Sequence, residues 1–156
     1  MLLVITLFSI SVIPAAATVS ENKSVKVVSI EPLEDGYYVE TTIEILPQLG
    51  FGNEIQATYS TITSTKTSSY KNSNGDVMCS LSITGTFTYN GSTSSCTSCY
   101  HSYSAPGSTW EVLNASSSRS GNSATATATA RHHLIVSYAD YPMSVTVSCS
   151  ANGTIS

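Results

Sequence analysis

Residues 77–90 carry the pattern that most limits what this chain can fold into. Val77, Cys79, Leu81, Ile83, Phe87 and Tyr89 alternate with Ser80, Ser82, Thr84, Thr86, Thr88 and Asn90, and only Met78 and Gly85 depart from the alternation. A period of two places the apolar set on one face and the hydroxyls on the other, which is a half-buried β-strand. Asn74-Gly75 just before it is a tight-turn signal of the type I′ kind. The Thr/Ser-rich run 59–70 then reads as its hairpin partner, and Asn90-Gly91 as the turn that follows.

The same reading recurs along the chain. Residues 143–149 alternate Met143, Val145, Val147 and Cys149 with Ser144, Thr146 and Ser148, after a stop at Pro142 and before a turn at Asn152-Gly153. Ser120-Gly121-Asn122 is a turn that opens onto strict Ala/Thr alternation from Ala124 to Ala130. β-Branched Thr on one face favours a strand there, and the small Ala face implies close approach by a facing sheet. This strand is expected to continue through Leu134, Ile135 and Val136. Residues 37–45 make another strand, entered by Glu34-Asp35-Gly36, with 26–30 as its partner. A short strand is expected at 110–113. The total is about seven to eight short strands with no helical periodicity. That predicts an all-β fold, an antiparallel β-sandwich that is Ig-like or similar.

The N-terminus bears on compartment. Residues 2–13 are almost continuously apolar, Pro14 breaks the run, and Ala15-Ala16-Ala17 supplies small residues. This is the hydrophobic core and cleavage site of a secretory signal, too short to span a bilayer. Residues 1–17 are therefore expected to be a signal peptide and 18–156 a single secreted β domain with no membrane anchor after cleavage. Residues 18–56 form an acidic N-terminal part, with two lysines against seven carboxylates for a net of −5. Residues 57–156 form a Ser/Thr-rich body with four basic and three acidic side chains, a net of +1. The segment 46–53, rich in Gly and containing Pro47, reads as a loop. With no Lys/Arg cluster to release counterions, nucleic acid is not an expected partner.

Four cysteines, Cys79, Cys96, Cys99 and Cys149, are an even count in a chain read as exported, which predicts two disulfides. Three pairings are open. A bond from the Cys96/Cys99 region to Cys149 closes a longer loop than Cys96 to Cys99, and so restricts the unfolded chain more. Cys96-Thr97-Ser98-Cys99 lies in a Ser/Thr-rich β context. It lacks the helix N-terminus that makes a C-x-x-C reactive. Cys96, Cys99 and His101 with His132 or His133 have no zinc-finger spacing, and adjacent histidines on a strand point to opposite faces. Neither metal nor cofactor is expected. Glu40 and Glu44 share a strand face and read as solvated. No G-x-S-x-G or H-E-x-x-H occurs, and no enzyme is expected.

The nine tyrosines and Trp110 are the remaining candidates. Tyr37, Tyr38, Tyr100, Tyr103 and Trp110 are the rings that could form a binding surface for a glycan or a cell-surface protein, provided that they cluster.

Four stretches carry a resemblance. They are Glu34-Asp35-Gly36-Tyr37-Tyr38-Val39-Glu40, Gly85-Thr86-Phe87-Thr88-Tyr89-Asn90-Gly91 followed by Cys96, Ser120-Gly121-Asn122 leading into the Ala/Thr repeat, and Ser148-Cys149-Ser150-Ala151-Asn152-Gly153-Thr154. In these the chain resembles a group of small secreted β-rich proteins of unknown function from Gram-positive, often gut-dwelling, Firmicutes-type bacteria. The resemblance implies a Cys96–Cys149 bond shared with that group, with Cys79–Cys99 as an additional bond here. It implies no activity or ligand. The expectation is a secreted, non-enzymatic β-sandwich acting in extracellular or envelope binding or adhesion. The alternative is a secreted toxin-like or bacteriocin-like effector stabilised by its disulfides.

Overall fold

The structure is a computed structural model, and it describes residues 24–46 and 59–156. The expected signal peptide and the 47–53 loop lie outside these residues. The long alternating segment forms β4 (Val77–Tyr89), and the side chains of Cys79, Leu81, Ile83 and Phe87 on its inner face are fully buried. Each such aliphatic or aromatic side chain contributes about 1.5–3 kcal/mol by leaving water.

Before β4 come β1 (Ser24–Pro32), β2 (Tyr38–Leu46) and β3 (Ser60–Lys71), and after it β5 (Ser94–Ser104). These five strands make one antiparallel sheet in chain order. β6 (Trp110–Ser120), β7 (Ser123–His133) and β8 (Tyr138–Ser148) make a second, again in chain order. β6 stacks on β5, β7 on β4, and β8 on β3 and β4, so β1 and β2 project past the edge of the smaller sheet. Among the described residues the result is an antiparallel β-sandwich of eight strands. Its connectivity is not Ig-like: both sheets are meanders, and the described strands change sheet once, between β5 and β6.

The Ala face of β7 explains how the layers close. Ala124, Ala126, Ala128 and Ala130 are buried beneath the large residues of β4, with Met143, Val145 and Val147 of β8 beside them in the same sheet. Gly85 sits where β4 meets this Ala face. A Cβ there would lie 2.6 Å from the Phe87 ring and 3.3 Å from the Ala124 methyl. The outward faces carry cross-strand hydroxyl pairs: Thr65–Thr84 at 2.7 Å, Thr67–Ser82 at 2.8 Å and Thr63–Thr86 at 3.1 Å on the larger sheet, and Thr125–Thr146 at 2.8 Å on the smaller. Such pairs stabilise a sheet by a few tenths of a kcal/mol each and leave its surface polar without charge.

Several local expectations are corrected. β5 was not among the predicted strands, and the strand expected at 110–113 runs to Ser120. β7 ends at His133, where Leu134 N–H donates to the Ser137 carbonyl and closes a hairpin loop. Pro142 does not stop a strand but lies inside β8, on an edge where its missing N–H costs no ladder bond. At Asn74-Gly75 only the glycine has positive φ, so the turn is not type I′. It is instead a 72–76 loop in which the Asn72 side-chain carbonyl accepts from the Asn74 and Asp76 N–H groups.

The cysteines differ from expectation as well. Cys79, Cys96, Cys99 and Cys149 are all free thiols in this structure. Register rules out Cys79–Cys99. Cys79 lies opposite Tyr70, whereas Cys99 lies opposite Gly85 farther along β4, about 20 Å away at roughly 3.3 Å per residue. A disulfide needs Cα atoms within about 7 Å. Cys96 and Cys149 flank one turn: their N–H groups donate to the Gly121 carbonyl at 2.8 Å and the Asn122 carbonyl at 3.0 Å. Their thiols face the carbonyls of Ser98 and Ser150 instead of each other.

Candidate functional site

At the end of the sandwich where Cys79 lies, small core residues give way to rings. Trp110 opens β6 directly after a turn in which its N–H donates to the Gly107 carbonyl at 2.9 Å. Gly107 has to be small, since a Cβ there would lie 3.1 Å from both Met78 and the indole Cδ1. What turns the indole inward is an irregularity farther along. The β6–β7 register shifts between Leu113 and Ser116, and Asn114 sits there at φ 53°. Beyond this bulge Ser117 and Arg119 reach inward toward β5, and before it Val112 and Trp110 pack into the core. Ser117 lies seven positions after Trp110, an odd spacing, so a regular strand could not point both to one side.

The same shift sets His132 opposite Trp110. Their rings stack at 4.5 Å with 7° between planes. Tyr141 of β8 stacks on the indole at 5.8 Å. From the larger sheet, Tyr37 approaches Trp110 at 5.7 Å and His132 at 5.9 Å, and Tyr70 approaches Trp110 at 5.7 Å and Tyr141 at 5.9 Å. Trp110 and Tyr70 are both buried, and their rings form the base of the cluster. Burial is the main cause that pushes the Tyr70 hydroxyl above its ordinary pKa. The Trp110 Nε1–H is buried without an acceptor.

A cleft of about 660 Å³ opens on this cluster, lined by Tyr37, Trp110, His132 and Tyr141, with Pro32, Leu33, Glu34 and Leu134 completing its walls. That volume suits a small ligand or a few side chains of a partner. Leu134 begins the β7–β8 hairpin loop, whose next two residues are bare: Ile135 is 102% exposed and Val136 94%. The base of this hairpin is braced. Arg131 donates two hydrogen bonds to Asp140, at 2.7 and 2.8 Å, and its guanidinium lies 4.0 Å above the Tyr138 ring. The bond from Arg131 holds the Asp140 carboxyl below its usual pKa. His133 bonds Glu111 at 2.9 Å.

Of the five rings singled out from the sequence, the structure brings together Tyr37 and Trp110. Tyr38 follows Tyr37 in the chain and has its hydroxyl beside Gly75, away from the cleft. Tyr100 and Tyr103 stand exposed on β5 and join no ring of the cluster. Tyr70, His132, Tyr141 and the aliphatic tip were missed. Counting outward from the Gly121 turn would have paired Trp110 with His133, because the bulge at Asn114 has no strong sequence signal.

The other candidates are dispersed. Among the described residues no three of His, Cys, Asp and Glu converge as a metal site would require. Glu40 is bonded by Lys71. His101 Nδ1 and Ser117 Oγ lie 2.9 Å apart across the β5–β6 seam, outside the cleft. The chain matches no protein-family model, and neither a curated protein nor a solved structure matches it.

Proposed function

We propose that this chain is an exported, non-enzymatic binding module whose ligand site is the aromatic cleft, and that it takes apolar side chains of a protein or peptide partner there. The cleft's lining carries the reading: a ring cluster at its base, with Leu134 in its wall leading directly into the exposed Ile135 and Val136 of the β7–β8 hairpin loop. Exposed apolar surface of this kind marks a docking site more often than a random surface feature. A glycan fits less well. Sugars stack on an open ring face, and here one face of the indole is covered by His132 and only 7% of Trp110 is exposed.

The chain has one tryptophan and it lies in the cleft, so its emission reports occupancy directly. Titration with short peptides bearing Leu, Phe or Pro should shift Trp110 emission saturably, and soluble glycan oligomers should not. The double variant Ile135→Ser, Val136→Ser should weaken peptide binding while leaving the melting transition unchanged, since both side chains are already in water. Emission shifts with glycans alone would overturn the peptide reading. The toxin-like alternative draws on the same bare tip, which could enter a bilayer. Leakage from dye-loaded vesicles, abolished by the same double variant, would favour it.

A further inference from the structure

The two sheets are unequal, five strands against three, and the mismatch is concentrated at one edge. β8 is the outer strand of the smaller sheet. At its far end the chain turns back on it. Ser156 N–H donates to the Ser148 carbonyl and Ser148 N–H to the Ser156 carbonyl, both at 3.0 Å, with Cys149 and Ile155 bridged antiparallel between them. Residues 155–156 thus occupy the first positions of a fourth strand. Among the described residues nothing continues it along the rest of β8.

Beside that edge, and under the overhang of β1 and β2, runs a groove of about 410 Å³. Val28, Ser29 and Thr41 line one side, Ser144, Val145 and Thr146 the other, and Lys66 lies at its base. Lys66 is opposite Ile43 and Ile83 in register, both buried, so its side chain rises on the inner face of the larger sheet. It has no ion pair among the described residues. Lys66 is half-buried there, so a carboxylate brought into the groove would meet an ammonium partly shielded from water.

We propose that this edge accepts an extended segment of a second polypeptide, paired antiparallel to β8 over residues 143–147 as the fourth strand, with an acidic side chain directed at Lys66. Main-chain bonds to the outer edge of β8 would supply affinity and the alternate inward side chains specificity. Pro142, which has no N–H, sets the limit of the pairing. A second folded copy does not fit. Antiparallel pairing of two copies through β8 would drive the partner's larger sheet into the space that β1 and β2 fill. This site is separate from the aromatic cleft and does not depend on the reading given for it.

The probe is an eight-residue peptide, Val-Thr-Val-Thr-Glu-Thr-Val-Thr, compared with a twin carrying Lys for Glu and another N-methylated at alternate residues. The Glu peptide should slow hydrogen exchange at the Ser144 and Thr146 amides, which face away from β7, and bind about five-fold or more tighter than the Lys peptide. The N-methylated peptide should not bind. In Lys66→Glu the preference between the Glu and Lys peptides should reverse. The wild-type comparison of the two peptides stands even if that variant folds poorly. Equal binding of the Glu and Lys peptides would overturn the proposal. So would protection of those amides in the free monomer, or their protection by dimer formation.

Discussion

Trp110 concentrates both the interest and the cost of the ring cluster. Its indole fills the base of the cleft but keeps a buried Nε1–H with no acceptor. An unsatisfied buried donor costs about 1–3 kcal/mol, which the surrounding ring contacts offset. Trp110→Phe removes the orphan donor and keeps a stacking ring, so it should change unfolding free energy by no more than about 1.5 kcal/mol. Trp110→Ala should cost about 3–5 kcal/mol, as emptying an aromatic site does. Urea unfolding followed by circular dichroism distinguishes the two, and equal losses would show that the ring faces contribute little. At this scale the alanines were legible and the thiols were not. Ala124 to Ala130 state their own packing distance, because only a facing layer explains four methyl-sized residues in register. An even number of cysteines says nothing about which strand positions place two sulfurs side by side, and in this register Cys79 and Cys99 stand far apart.

Among the elements, β6 departs most from regularity, and the departure builds the cleft. Asn114 at φ 53° adds the residue that swings Trp110 inward. Asparagine tolerates that conformation and a β-branched side chain does not. Asn114→Gly should therefore be neutral within about 0.5 kcal/mol, whereas Asn114→Val should destabilise by about 1–2 kcal/mol. The Val variant should also shift Trp110 emission to the red as the ring is loosened toward water. Unchanged emission and stability in Asn114→Val would mean that the bulge does not hold the indole. Strands with a clean apolar stripe, such as β4 and residues 143–149 of β8, could be read directly. β5 could not, because Ser94–Ser104 offers only cysteines, tyrosines and a histidine among small polar residues. Its pairing depends on β4 supplying a long free edge. Leu134-Ile135-Val136 misled in the opposite sense: it has the composition of a buried strand and sits on a loop. That mismatch between local preference and position is where function is most often found.

For the molecule as a whole, burial of acidic protons sets the response to alkali. The Cys79 thiol, ordinarily 9.0, is pushed up to about 12 by burial, and Cys96 and Tyr70 are shifted in the same direction. Between pH 9 and 12 the unfolded chain loses the Cys79 proton that the folded chain retains. Stability is therefore whole below pH 9 and falls as pH rises, with a slope of about 1.4 kcal/mol per unit for one such proton. Cys79→Val should flatten that slope, which urea unfolding across the alkaline range would register. An unaltered slope would assign the loss to other groups. The outer hydroxyl ladders would tolerate a slipped register, since Ser and Thr recur on every strand. Register is instead held by the core face and by turns with glycine at positive φ, including Gly91, Gly121 and Gly153. The single change of sheet between β5 and β6 has its own consequence for how such a chain finds its fold. Nearly every ladder joins strands that are consecutive in sequence, so contact order is low for an all-β molecule and each meander can zip from its own hairpins. A cut in the 105–109 connection would break no ladder. The two pieces, ending at Ser104 and starting at Trp110, would each hold a complete set of strand pairings and lack the other's apolar face and the few hydrogen bonds between the sheets, such as that from Cys96 N–H to the Gly121 carbonyl. Such fragments should recombine when mixed.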